Sequence, residues 1–307
     1  MKLVTIAVVL ALFFVFLELS YHVIQYVRWG PTIKRSLVTN DPELGYALNP
    51  KQDVIFEPSE RNACSEAVLR RPPVSKYLLK EPIFKDGKRI LFLGASFVQT
   101  VTVSSGSAYF DVFEKLGKGR YSVYAAGVQG YNDLQEYLLL KRVYNQAQPE
   151  IVVWQLSAND PYSNVFFSQI FSGAEKPRPY LNLKTGNIEF HESLFFILRV
   201  SGLLQMLRFR LQWFDRTHQL GIVDFLNSLT LPNAQQMMTI DQEGLEVLRR
   251  LLHRAVVEYP KTRFIGFSVD GQLEDRYQKI FSEMGADYFP KFSMRYMVKG
   301  GKINCTS

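Results

Sequence analysis

The chain has 307 residues, 47% of them hydrophobic and 21% charged, which excludes a disordered or fibrous chain and allows one substantial core. The net charge of +7 is spread along the sequence without a long Lys/Arg run, so nothing reads as a nucleic-acid motif. From Leu3 to Leu17 every residue except Thr5 is apolar, and the character continues through Leu19, Tyr21, Val23, Ile24, Tyr26 and Val27. A bilayer takes roughly 20 such residues, so an uncleaved single-pass anchor over residues 3–27 is expected, with the lipid bilayer as its partner. Two alternatives fit the run less well. A cleaved signal peptide needs a small-x-small site, and Glu18-Leu19-Ser20-Tyr21-His22 supplies none; a buried soluble helix would carry a polar face, and this one has none. Lys2 precedes the run while Arg28, Lys34 and Arg35 follow it, so the positive-inside rule alone would keep the following domain in the cytoplasm.

Residues 31–88 read as an extended lead-in with turns at Asp41-Pro42 and Asn49-Pro50, and residues 89–307 as the main domain after an anchor over 1–30. Arg89–Leu93, closed by Gly94, has the short apolar pattern of a buried strand. Tyr109–Leu116 has helical spacing, Tyr121–Ala125 is a second strand, Leu134–Tyr144 a helix and Glu150–Leu156 a third strand. This alternation predicts a parallel sheet with helices on both faces, a three-layer α/β/α domain. Residues 178–190 read as a hairpin around Lys184-Thr185-Gly186-Asn187. Leu194–Trp213 is a long amphipathic segment, read as a core helix with a membrane-surface helix as the alternative. Asp241–Tyr259 predicts a helix capped by Asp241, Arg263–Val269 a fourth strand and Leu273–Met284 a last helix. The two cysteines, Cys64 and Cys305, suggest neither a zinc site nor a disulfide framework.

Sites in open α/β sheets form beyond the carboxyl ends of the strands. Three such ends carry small and polar residues: Gly94-Ala95-Ser96-Phe97, then Ala126-Gly127-Val128-Gln129-Gly130-Tyr131, then Ser157-Ala158-Asn159-Asp160. A serine hydroxyl, a backbone N–H at a glycine and a side-chain amide are the minimum for attack on an acyl carbon with a stabilised oxyanion. Taken singly, each segment is equally well a helix cap or a turn. No metal or organic cofactor is needed for such chemistry.

In order and spacing these segments resemble the first three blocks of the SGNH (GDSL-type) hydrolases. Asp41-Pro42-Glu43-Leu44-Gly45-Tyr46 with Asn49-Pro50 is similar to the lead-in of bacterial members that carry an N-terminal membrane helix, and Pro179-Tyr180 with the Gly186 hairpin resembles an insertion in that group. The match runs over roughly residues 40 to 290. It implies a flavodoxin-like fold, a periplasmic or extracellular domain, Ser96 as nucleophile, and an oxyanion hole made by the N–H groups of Ser96 and Gly127 with the Asn159 side chain. The substrate class it implies is an acyl or acetyl ester of a glycan or lipid.

Two departures stand out. Ala95 occupies the place of the family's Asp in the first block, and the family's last block, an Asp-x-x-His after the final strand and its loop, is not found between that strand and Asn304-Cys305-Thr306-Ser307. His22 lies in the anchor, His191 follows the hairpin, His218 follows an Arg-rich helix and His253 lies within a helix with no Asp three before it, so structural or surface roles are expected for them; Asp160 and Asp270 are the nearby acids. An impaired ester hydrolase is therefore expected, with a non-catalytic cell-envelope binding protein on the same fold as the alternative. A nucleotide-binding domain lacks support, since neither GxGxxG nor a P-loop occurs.

Overall fold

The computed structural model describes residues 2–29, 38–50, 55–56, 68–69, 73–100, 103, 106–165, 178–191, 234–269, 271 and 273–290. The chain divides into two compact units, one of Met1–Arg35, Phe167–Pro177 and Glu192–Met237, the other of Ser36–Phe166, Arg178–His191 and Met238–Ser307. The segment 194–213, Cys64, Cys305, His218 and Asp270 lie outside the described residues.

In the first unit, α1 (Lys2–Trp29) is one helix of 28 residues, about 42 Å long at 1.5 Å per residue. Leu12, Phe13, Phe14, Val15 and Phe16 are all exposed, and at 100° per residue these five consecutive apolar side chains are spread around the whole helix. Among the residues described with their side chains, no helix is long and apolar enough to cross a membrane; the side chains at 2–4, 7, 8, 10, 11, 22 and 24–29 of α1 lie outside that description.

The second unit opens with a hairpin of β1 (Val38–Asp41) and β2 (Gly45–Leu48), closed by Asp41 accepting from the Glu43 and Leu44 amides at 3.0 and 2.9 Å. Leu44, Tyr46, Ala47 and Leu48 are 0–2% exposed, so this part of the lead-in belongs to the core. A two-residue pair follows, β3 (Ile55–Phe56) with β4 (Val68–Leu69).

The central sheet has five parallel strands: β5 (Lys88–Gly94), β6 (Tyr121–Gly127), β7 (Ile151–Leu156), β10 (Arg263–Ser268) and β11 (Asp287–Phe289). Their spatial order is β11-β10-β7-β5-β6, which in chain rank is the 2-1-3-4-5 order of flavodoxin-like sheets. Between them in the chain run α2 (Ser96–Gln99), α3 (Tyr109–Gly117), α4 (Asp133–Ala147), α5 (Asp160–Asn164), the β8 (Arg178–Leu181) and β9 (Ile188–His191) hairpin, α6 (Ala234–Glu258) and α7 (Glu274–Glu283). Leu91, Leu93, Val152, Trp154 and Phe264 pack with α4, α6 and α7 on one face; Ile90, Phe92, Val123 and Ala125 pack with α2 and α3 on the other. Burial on both faces is why these strands read as unbroken apolar runs. Beyond β6, Lys80 pairs antiparallel with Ala125 and covers that edge.

Two boundaries differ from the sequence reading. Asp241 does not cap α6, which begins seven residues earlier at Ala234 because Gln235–Ile240 contains no breaker. Gly244 lies inside this helix, where a Cβ would meet the Pro161 carbonyl oxygen at 1.9 Å, so glycine is required for α6 to approach α5. The sequence reading stops short of β11, a three-residue edge strand held by pairing to β10.

Candidate active site

The order in which strands are added to the sheet reverses between β5 and β7, and crevices for ligands open beyond the carboxyl ends at such a switch point. Ser96 and Asn159 follow the ends of β5 and β7 and Gly127 is the last residue of β6, three neighbouring strands with β5 in the middle. Gly94 is in register with Gly127, and Leu93 with Trp154. Adjacent strands lie about 4.8 Å apart.

Ser96 is the first residue of α2 and is half-buried; Ala95 before it makes no side-chain cap. Among the described residues, the Ser96 hydroxyl has no hydrogen-bond partner, while its carbonyl accepts from Thr100 at 3.0 Å. The turn is pinned from below by Val98, which is wholly buried.

Gly127 is needed for a reason the sequence does not display. A Cβ there would lie 2.6 Å from the Gly94 carbonyl oxygen and 2.7 Å from Val98 Cβ, so the bare backbone lets the β5 and β6 exits pack together. The loop after it is braced from two sides. The Gln129 amide donates to Gln99 Oε1 at 2.6 Å, and the Tyr46 hydroxyl donates to the Gly130 carbonyl at 2.8 Å. Gly130 has φ of +80°, the left-handed region that favours glycine. Tyr131 returns a hydrogen bond to the Tyr46 carbonyl, and the two rings meet edge-to-face at 5.2 Å.

Asn159 is exposed and stands at the N-cap of α5, yet its side chain makes no cap hydrogen bond. Asp160, the first residue of α5, closes the turn before the helix by accepting from the Ser157 amide and hydroxyl, each at 2.7 Å. Asp160, named from sequence as a nearby acid, is thereby 5% exposed and committed to its own turn.

Behind this turn is a buried carboxyl group cluster absent from the sequence reading. Asp133 and Glu136, on the first turn of α4, are 0% and 1% exposed. Asn164 joins the two elements: its amide donates to Asp133 Oδ2 at 2.6 Å and to the Gly244 carbonyl at 3.1 Å, and its oxygen accepts from the Asp133 amide at 2.9 Å. Glu136 accepts from Trp154 Nε1 at 2.6 Å. Burial pushes the Asp133 carboxyl up to about 7, against the pull of the Asn164 hydrogen bond. Burial, then the charges of Asp160 and Asp133, raise Glu136 well above the usual carboxylate range, against the Trp154 hydrogen bond. The one sequence signal was two acids opening a helix, which equally describes an exposed first turn facing the helix dipole.

His253 is the one histidine whose side chain is described, and it is exposed on α6. Among the described residues, no group of three His, Cys, Asp or Glu is arranged to hold a metal.

No protein-family model and no curated protein matches the chain. Among solved structures it is similar to AlinE4, an SGNH-hydrolase family esterase, at 12% identity over 71% of this chain and 82% of that one, with a TM-score of 0.38. It is also similar to a GDSL-like lipase from Parabacteroides merdae, at 9% identity over 71% and 84%, TM-score 0.35. A third is a variant of Axe2, an acetyl xylan esterase from Geobacillus stearothermophilus, at 13% identity over 67% and 77%, TM-score 0.31.

Proposed function

We propose that this chain is an SGNH-type serine ester hydrolase of low catalytic power, anchored in a membrane by α1 with its α/β domain on the periplasmic or extracellular side. Its substrate class would be an acyl or acetyl ester on a glycan or lipid. The observation that carries this reading is the placement of Ser96, Gly127 and Asn159 at three neighbouring strand ends around the switch point. The Ser96 hydroxyl is there without a competing partner among the described residues. The anchor rests on an apolar run whose side chains are spread around a helix of 28 residues.

In this mechanism the Ser96 Oγ attacks the acyl carbon. The carbonyl oxygen becomes an oxyanion, stabilised by the N–H groups of Ser96 and Gly127 and by the Asn159 amide. The ester C–O bond then breaks, the alcohol leaves with the proton that Ser96 has lost, and water hydrolyses the acyl-serine. A serine hydroxyl is a weak nucleophile at neutral pH unless a positioned base takes its proton. Without a base, binding and the oxyanion hole alone leave an enhancement of roughly 10³ to 10⁴ over water.

A second reading, a non-catalytic cell-envelope protein that binds acylated glycans or lipids, is favoured by one observation. No imidazole among the described side chains is bonded to Ser96, and His253 is exposed on α6. Release of p-nitrophenol from an acetyl ester by the full chain and by Ser96→Ala separates the readings. Slow turnover by the native chain that Ser96→Ala reduces to background supports the hydrolase. Equal background rates for both leave the binding protein. Fast turnover lost in Ser96→Ala would overturn the low-power reading and require a recruited base, with His191 and His253 the first to substitute.

A further inference from the structure

The helix α3 leaves an apolar stripe only partly covered: the Tyr109 and Phe113 rings meet Phe92 edge-to-face at 5.4 and 5.7 Å, yet much of the stripe stays exposed. The inward face of the helix carries Phe110, Asp111, Glu114 and Gly117, all buried. Its outward face carries Tyr109, Val112, Phe113 and Leu116, which are 38%, 42%, 37% and 71% exposed. Positions 109, 112, 113 and 116 are the i, i+3, i+4, i+7 set that forms one stripe, and such a stripe ordinarily faces the core. The exposure has a local cause. Lys80 is buried beneath α3 with its ammonium 2.5 Å from Glu114 and 3.7 Å from Asp111, so the charged side of the helix is bound inward. Glu114 also accepts from the Ile83 and Phe84 amides at 2.8 and 3.3 Å, which places those two residues beside the stripe, 55% and 37% exposed.

We propose that this stripe, with Ile83 and Phe84, is a docking surface for a lipid bilayer rich in anionic headgroups. The charges around it select that occupant. Residues 83–88 and 109–121 carry five exposed cations, Lys85, Lys88, Lys115, Lys118 and Arg120, against one exposed acid, Asp86. Lysine is depleted at the core of protein interfaces, where its hydration must be lost. At a membrane surface its long stem lies along the apolar boundary while the ammonium stays among the phosphates. A short apolar stripe in segments rich in exposed lysines therefore fits headgroups better than a protein partner. This docking is separate from the α1 anchor and does not depend on ester hydrolysis.

The test uses the full chain with Cys64→Ser and Cys305→Ser, and an environment-sensitive fluorophore on Leu116→Cys. It is reconstituted into vesicles of phosphatidylcholine alone or mixed with phosphatidylglycerol. The expected result is a blue shift in the mixed vesicles and none in phosphatidylcholine, with a fluorophore on Ile188→Cys unchanged in both. Each basic residue at the surface contributes about a fivefold change in the docked-to-free ratio, so Lys85→Gln with Lys118→Gln should lower it about 25-fold. A Leu116 signal indifferent to phosphatidylglycerol would overturn the proposal. So would a shift that follows protein concentration in both vesicles, which would assign the face to a second copy. Carbonate extraction of the same vesicles reads the α1 anchor separately, so failure of one is not failure of the other.

Discussion

Replacing Lys80 by Met removes the cation from under α3 and keeps most of the stem. Lys80 is 1% exposed, and its ammonium also donates to the Glu81 carbonyl at 3.1 Å. Glu114, 0% exposed, would keep its amide donors Ile83, Phe84 and Val123, at 2.8, 3.3 and 3.3 Å, but would hold a buried charge without its counterion. Breaking a buried pair in this way costs about 3–5 kcal/mol, a large share of the ~5–15 kcal/mol of a typical domain. Adding Glu114→Gln removes the nearer of the two stranded charges, Asp111 at 3.7 Å from the ammonium being the other, while the glutamine oxygen can still accept from the same amides. The double variant should therefore regain about 2 kcal/mol relative to Lys80→Met alone. Denaturant midpoints of the full chain in detergent measure both, and hydrogen exchange at the Ile83, Phe84 and Val123 amides reports whether the loss is local to α3. If Lys80→Met costs less than about 1 kcal/mol, the value of an exposed pair, the ions are solvated and the inward lock on α3 is wrong.

Gly127→Ala places a methyl group 2.6 Å from a backbone oxygen, which cannot step aside as a side chain would. Destabilisation of about 1–3 kcal/mol is expected from urea midpoints, and an unchanged midpoint would show that the β5 and β6 exits are looser than the geometry implies. Asp133 is held at about 7, above the ordinary unfolded value of about 3.9. Between these values the folded state keeps a proton that the unfolded state has released, so stability falls as pH rises through the window. Asp133→Asn removes that slope, and its melting temperature should gain on the native chain between about pH 5 and about pH 8. Parallel curves would exclude Asp133 as the group responsible.

Much of the sheet is legible along the chain. Residues 88–94, 121–127 and 151–156 are buried on both faces, and two-sided burial leaves a continuous apolar run ended by a polar or glycine exit. Ser96, Gly127 and Asn159 are recognisable for the same reason, since each follows such a run. What is not legible depends on residues far apart in sequence. Residues 38–48 look like an irregular lead-in because a strand of four residues has too little periodicity to read. They are core because Tyr46 reaches Gly130 and the Leu44 carbonyl accepts from Gln135, 84 and 91 positions away. The period of α3 marks an apolar stripe at 109, 112, 113 and 116 but carries no sign for inside or outside. Lys80, which lies outside the helix, sets that direction. The acids at 133 and 136 read as first-turn residues until Trp154 and Asn164 enclose them. Periodicity is a property of neighbours on the chain and survives in the sequence. Which face is turned inward, and which carboxyl group is desolvated, follows from contacts between distant segments, and only the folded chain brings those together.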